Sequence, residues 1–239
     1  MTCGDLFAGI GGMSLGLERA GFTVRWQVEV EPYCENVLAR HWPLVHRRRD
    51  VRFAGAATLE RVDCIAGGFP CQDISSARTR TRRVGLAGRS SGLWSECRRL
   101  VGELEPRWLL LENSPEWRRW VPEVRADLAR LGYASLPVVV SAGAVGAPHS
   151  RPRGFVVAHA DADCESLLAV NAETSRLLAV SGQVWPPPPI GNLPLAHGIS
   201  GRLARARMWQ ELRALGNAVL PQVVEVIGRA ILAVEAAHE

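Results

Sequence analysis

The chain has 239 residues, and all 28 of its basic residues are arginine, set against 24 acidic ones for a formal net charge of +4. At 47% hydrophobic and 22% charged it is neither disordered nor collagen-like, and its length suits one large domain or one domain with a small appendage. Apolar runs such as 108–111 and 136–140 are far too short to cross a bilayer, and Asp5 with the glycines after it gives no signal peptide, so a cytoplasmic protein is expected.

In chain order, a strand at 2–7 runs into Gly9, Gly11 and Gly12 and then a helix at 13–20. A strand at 23–28, a helix at 32–41, a weak strand near 45–49 and a strand at 62–66 follow. Further on come a helix at 93–104, a strand at 107–111, a helix at 122–131 and strands at 135–140 and 154–158. Pro122 and Glu123 stand where a helix start wants them, and Gly132 suits a C-cap. This alternation is the signature of an α/β sheet flanked by helices. From 161 to 195 the pattern is mixed and ends in Trp185 and four prolines, a stiff connector. A helix is expected at 202–212, and a clearer one starts at Pro221 with Val223, Ile227, Ala230, Ile231 and Val234 on one apolar face. The chain thus divides into 1–160, 161–198 and 199–239. Its six cysteines do not form a disulfide framework; they read as reduced thiols without zinc-like spacing, so no metal is expected.

Three places carry chemistry. The run Asp5 to Gly12 is a strand entering a glycine turn and a helix, where backbone can approach a ligand. Glu29, at the end of the next strand, can take a ribose diol. Cys71 follows Gly67, Gly68, Phe69 and Pro70 directly after an apolar strand, where α/β enzymes keep their sites. Glu112 ends another strand and falls on the same edge if the sheet is parallel.

Taken together, the glycine turn, Pro70-Cys71-Gln72, Glu112-Asn113, Arg151-Pro152-Arg153 and Gly216-Asn217-Ala218-Val219 resemble, in order, the motifs of DNA (cytosine-5) methyltransferases. The resemblance spans about 5–160 and 199–229. It implies a Rossmann-like S-adenosylmethionine-dependent sheet flanked by helices, with a very small target-recognition segment. Phe7, Gly9, Ile10, Gly11 and Gly12 would line the cofactor pocket. Glu29 would hold the ribose, Val30 would pack on adenine and Asp50 would read its amino group. Val51, Gly68, Pro70, Leu93, Asn217, Ala218 and Val219 would complete that pocket. Cys71 would be the nucleophile and Glu112 the acid facing a flipped-out cytosine. Arg151 and Arg153 would support the activated base. Double-stranded DNA is the implied partner, contacted by Gln72, Ser75, Arg78, Arg80, Arg82, Arg83 and Arg89. A cognate restriction endonuclease is a further partner of the kind implied, beside a chain that acts alone as a monomer.

The placement of arginine bears on the DNA reading. From 74 to 100 there are seven arginines against Glu96, a local balance of +6 that exceeds the whole chain's +4. Such a stretch suits phosphate contacts and counterion release. The absence of lysine itself reads as coding bias, and Arg47-Arg48-Arg49 and Arg118-Arg119 are ambiguous. The main departure from the family is its middle, where only about 35 to 50 residues remain for target recognition, the lower edge of an independent unit. Two other readings stay open: a tRNA cytosine-5 methyltransferase, and a non-catalytic cofactor- or DNA-binding remnant. The Pro70-Cys71-Gln72 context argues against the first, and the intact Cys71, Glu112, Arg151 and Arg153 against the second.

Overall fold

The computed structural model describes residues 1–70, 93–160, 164–180, 210–211 and 213–238. Among these, the strands are β1 (Thr2–Leu6), β2 (Thr23–Val28), β3 (His46–Arg48), β4 (Cys64–Gly68), β5 (Trp108–Asn113), β6 (Ala134–Val140) and β7 (Arg153–His159). The helices are α1 (Gly12–Ala20), α2 (Pro32–His41), α3 (Trp94–Leu104), α4 (Val121–Arg130), α5 (Cys164–Val180) and α6 (Pro221–His238). The expected connector at 185–189 and nearly all of the expected helix at 202–212 lie outside the described residues.

One seven-stranded sheet holds the fold, in the order β3-β2-β1-β4-β5-β7-β6. The β1–β2, β1–β4, β2–β3 and β4–β5 pairs are parallel, whereas β7 runs antiparallel to both neighbours. The sheet is therefore mixed. Pro137 sits in β6, an edge strand, where a missing N–H costs least.

Alternate residues of the central strands feed two cores, as the two-residue period of a strand requires. Ile65, Leu109, Leu111, Val156 and Ala158 face a layer from α3 and α4, with Trp26, Trp94 and Trp120 buried among them. Cys64, Ala66, Leu110, Phe155 and Val157 face the opposite layer, where α1, α5 and α6 pack. The five residues assigned to the apolar face of the last helix are all buried there. Added Cβ atoms at Gly16 and Gly228 would fall 2.5 Å from the Pro221 carbonyl oxygen and 2.8 Å from the Ala20 Cβ, so α1 and α6 touch nearly backbone to backbone.

Gly4 is a requirement of β1, since a Cβ there would overlap the fully buried Trp26 ring at 2.1 Å. By length and composition the stretch Arg213–Ala237 would suffice to cross a bilayer, but half of its apolar window is buried inside this fold, as in a core helix. Residues 164–180, half of the segment assigned to target recognition, form α5; Leu167 and Val170 are buried in the core shared with α6.

Candidate active site

The parallel strands β1, β2, β4 and β5 all end at one edge of the sheet, and β7, running the other way, begins there. Phe7, Glu29, Phe69 and Ser114 thus leave the sheet beside Arg153. The order reverses between β1 and β4, the place where open α/β sheets bind ligands. A cavity of about 540 Å³ opens at this edge.

Its floor is the glycine turn. Phe7 takes a left-handed φ of 58°, a conformation that non-glycine residues hold only under constraint, which ends β1 one residue earlier than expected. Gly9 lines the cavity, with φ 55° and nothing within 4 Å of where its Cβ would sit. Gly11, with φ 88°, is the N-cap of α1, and a side chain there would strike the Trp42 ring at 2.4 Å. Gly12 lines the cavity and presses on the C-terminal motif, since its Cβ would lie 2.6 Å from the Val219 carbonyl oxygen. Of the five residues of this turn assigned to the cofactor, Phe7, Gly9 and Gly12 line the cavity; Ile10 and Gly11 do not.

A buried polar network braces the turn from below. Asp5 Oδ2 accepts from the Ser14 amide at 3.1 Å and its hydroxyl at 2.7 Å, and Gln27 Nε2 donates to that hydroxyl at 2.9 Å. Burial pushes the Asp5 carboxyl up to about 7, against the pull of the Ser14 hydrogen bonds. Above it, Glu29 accepts from the Gly9 amide at 2.6 Å and the Glu31 amide at 2.8 Å. Burial also raises Glu29, against these same bonds. Val30 and Val51 line the cavity beside Asp50, which caps a 3-10 turn at Val51–Phe53 and holds the Arg52 guanidinium at 2.6 Å.

The opposite wall comes from β4 and β5. Glu112 is 8% exposed, and its Oε1 lies 3.1 Å from Arg153 Nε. Burial pushes its carboxyl up to about 7, outweighing the opposing pull of Arg153 and Arg151. Gly68, paired with Glu112 across the strands, makes room for it: a Cβ there would sit 2.8 Å from Oε2. Asn113 donates from Nδ2 to the Phe69 carbonyl at 3.0 Å, tying the end of β5 to the loop that continues through Pro70 toward Cys71. Pro70 and Leu93 line the cavity. Cys71, Gln72, Ser75, Arg78, Arg80, Arg82, Arg83 and Arg89 lie outside the described residues. Cys34 also lines the cavity, but burial pushes its thiol up to about 11, which leaves it protonated and a poor nucleophile at neutral pH.

Arg153 and Arg151 separate in role. Arg153 lines the cavity and pairs with Glu112. Arg151 does not line it; held at φ 26°, its Nη2 donates to the carbonyls of Gly216 at 2.5 Å and Ala218 at 2.9 Å. It staples the C-terminal motif, whose Asn217, Ala218 and Val219 complete the cavity wall. Sequence reasoning grouped the two arginines and had no signal to separate them. It also missed Tyr33, Asn113 and Arg213; Arg213 reaches Glu31 across the rim at 3.6 Å. Of the ambiguous arginines, Arg49 pairs with Glu35 at 3.1 Å and Arg47 donates to the Trp42 carbonyl at 2.5 Å.

Residues 1–179 match the C-5 cytosine-specific DNA methylase family. The chain belongs to that family. It is 34% identical over 163 residues to the Type II methyltransferase M2.BsuMI of Bacillus subtilis, covering 64% of this chain and 41% of that protein. Against M.HgiDI of Herpetosiphon aurantiacus it is 32% identical over 165 residues, covering 65% and 51%. The chain spans about half the length of these relatives. A crystal structure of a prophage-encoded DNA modification methyltransferase from E. coli aligns with TM-score 0.56 and 31% identity over 71% of this chain and 48% of the other. A Spodoptera frugiperda DNMT2 mutant aligns over 99% of this chain and 98% of its own with TM-score 0.56; at 12% identity it shares the fold alone. Both likenesses agree with the Rossmann-like methyltransferase sheet expected from the sequence.

Proposed function

We propose that this family member transfers a methyl group from S-adenosylmethionine to carbon 5 of cytosine in double-stranded DNA, with Cys71 as the nucleophile. The position of Glu112 carries the reading. A buried carboxyl that titrates near neutrality lies 3.1 Å from an arginine, in the wall of the cavity whose floor is the glycine turn. The cavity suits the cofactor: Glu29 and Asp50 offer carboxylates to a ribose and an adenine, and open space at Gly9 lets backbone approach the ligand. S-adenosylmethionine bound there supplies the methyl group.

Carbon 5 of cytosine is a poor nucleophile until the ring is activated. Addition of Cys71 Sγ at carbon 6 pushes the ring electrons toward N3, dividing one hard step into easier ones. Protonated Glu112 donates its proton at N3, and Arg153 stabilises the carboxylate left behind. As carbon 5 takes the methyl group N3 returns its proton to Glu112, and loss of the carbon 5 proton to water then re-forms the ring double bond and breaks the Sγ–carbon bond, releasing Cys71 as thiolate. The base must leave the stack for any of this to occur. The basic stretch at 78–89 supports phosphate contacts near the site. With 164–180 committed to α5, target recognition falls to about 181–198, and a segment so short supports modest sequence discrimination. The Type II designation of the relatives supports a partnership with a restriction endonuclease.

The test is transfer of label from S-adenosylmethionine to mixed-sequence duplex DNA and tRNA in one competition. Label in DNA cytosine is expected, abolished in Cys71→Ala while cofactor binding persists. Folded protein that labels only tRNA, or nothing, overturns the reading.

A further inference from the structure

The segment after β5 passes from the cavity wall into a turn that carries two outward side chains. Ser114 and Pro115 still line the cavity, and Trp117 to Arg119 then form a 3-10 turn. That turn is anchored from behind. Trp120 is fully buried, donates from Nε1 to the Ser114 carbonyl at 3.0 Å, and meets the Phe69 ring edge-on at 5.7 Å between centroids. Arg119 is pinned to Glu116 at 3.2 Å. The two remaining residues face outward: Trp117 is 40% exposed, and the Arg118 guanidinium lies 4.9 Å from the centre of its ring.

Trp117 thus keeps part of an aromatic face in water on a seated turn, with a guanidinium beside it. Arg118 has no ion pair among the described residues, whereas its neighbour Arg119 is paired with Glu116. An aromatic face joined to an unneutralised guanidinium is the chemistry that single-stranded or unstacked nucleic acid recognises, with the ring stacking on a base and the cation meeting phosphate.

We propose that Trp117 and Arg118 form a contact for unstacked nucleic acid at the rim of the cavity, Trp117 stacking on a base freed beside the flipped nucleotide and Arg118 holding the adjoining phosphate. The proposal rests on the DNA substrate assigned above. It gives the flipped base's neighbours a landing place on the Glu112 side of the cavity, opposite the walls supplied by β1 and β2.

The probes are two fluorescein-labelled duplexes of mixed sequence, one intact and one with a central abasic site that leaves its neighbours unstacked. Full-length wild type and the W117A, W117F and R118A variants are titrated against both by anisotropy at several salt concentrations. Cofactor affinity is measured separately with S-adenosylhomocysteine. W117A should weaken binding to the abasic duplex by about 5- to 150-fold, the range for loss of one base–aromatic stack, with a smaller effect on the intact duplex and recovery in W117F. R118A should weaken both and lower the slope of log affinity against log salt by about 1. Cofactor affinity should not move. Variants that match a DNA-binding wild type overturn this proposal alone, as does a loss in W117A that is equal on both duplexes and accompanied by weaker cofactor binding. A wild type that binds neither duplex overturns the DNA-substrate reading and this proposal with it.

Discussion

Replacing Glu112 with glutamine tests whether the buried carboxyl titrates where its surroundings place it. Burial raises the group from an ordinary 4.5 to about 7, so between those values the folded protein holds a proton that the unfolded chain has released. Stability from this site is therefore fully present below pH 4.5 and is lost as pH rises through 7. A difference of about 2.5 units at 1.36 kcal/mol each gives a loss of about 3 kcal/mol across that window. Asp5, raised from 3.8 to about 7, contributes in the same direction, so wild type should lose stability steeply from pH 5 to 8 and Glu112→Gln should lose about half as much. The glutamine amide would face Arg153 and lower stability overall, but that offset is the same at every pH and leaves the slope to be read. Urea midpoints followed by tryptophan fluorescence at pH 5, 6, 7 and 8, at fixed ionic strength, supply the comparison; every group other than residue 112 is common to both proteins. Parallel curves for wild type and variant would refute the assignment of a near-neutral carboxyl at Glu112.

Further substitutions probe how the site is held. Gly68→Ala puts a methyl group 2.8 Å from Glu112 Oε2, so label transfer under saturating S-adenosylmethionine should fall by about 10- to 100-fold. Arg151→Ala removes two charged hydrogen bonds to the carbonyls of Gly216 and Ala218, each worth about 1.5–3 kcal/mol; cofactor affinity should weaken by about 10-fold or more, and Arg151→Lys should recover only part of it. Trp120→Ala empties the buried site behind the rim turn and should lower stability by about 3–5 kcal/mol in urea denaturation.

Much of the fold is legible because its strands and helices carry clean periods. The range expected for α2 coincides with the helix, β2 does so as well, and the apolar face of α6 is the buried one. The strand ends drift where tertiary contacts decide them: β1 stops as Phe7 turns to φ 58°, and β4 runs on to Gly68 because that residue pairs with Glu112. Helix α5 is obscured by its own composition. Leu167 and Val170 are buried, but Leu168 and Val180 are exposed at 60% and 69%, so its apolar residues mark no single face. The direction of β7 leaves no trace in a strand's residues, yet it brings Arg153 to the edge where Glu112 lies.

The placement of Glu29 and Glu112 in the cavity wall was legible because each carboxylate stands at a strand end, whereas Asp50, which caps a 3-10 turn, was reached only through the family resemblance. Arginine resisted, because the same side chain serves as an ion-pair partner, a backbone staple or a ligand for phosphate. The basic stretch at 74–100 illustrates this. Arg98 pairs with Asp127 at 3.2 Å and Arg99 with Glu96 and Glu103 at 2.9 and 2.6 Å, so two of its seven arginines serve α3 and its neighbours rather than DNA. The same holds for Arg25 with Glu60, Arg52 with Asp50 and Arg153 with Glu112. A paired arginine adds little to the field outside the molecule, because its partner cancels it within a few ångströms and salt screens the remainder. The net charge of +4 is thus a poor guide to where an anionic polymer would be drawn. What matters is which guanidinium groups lack a carboxylate. By that criterion Arg118 is one of the described guanidinium groups left without a carboxylate, and the five arginines at 78–89 have no acid among them in sequence. Arg118 lies on the segment that leaves β5 at the edge of the sheet where the cavity opens, so an anionic polymer drawn to it is drawn toward the cavity.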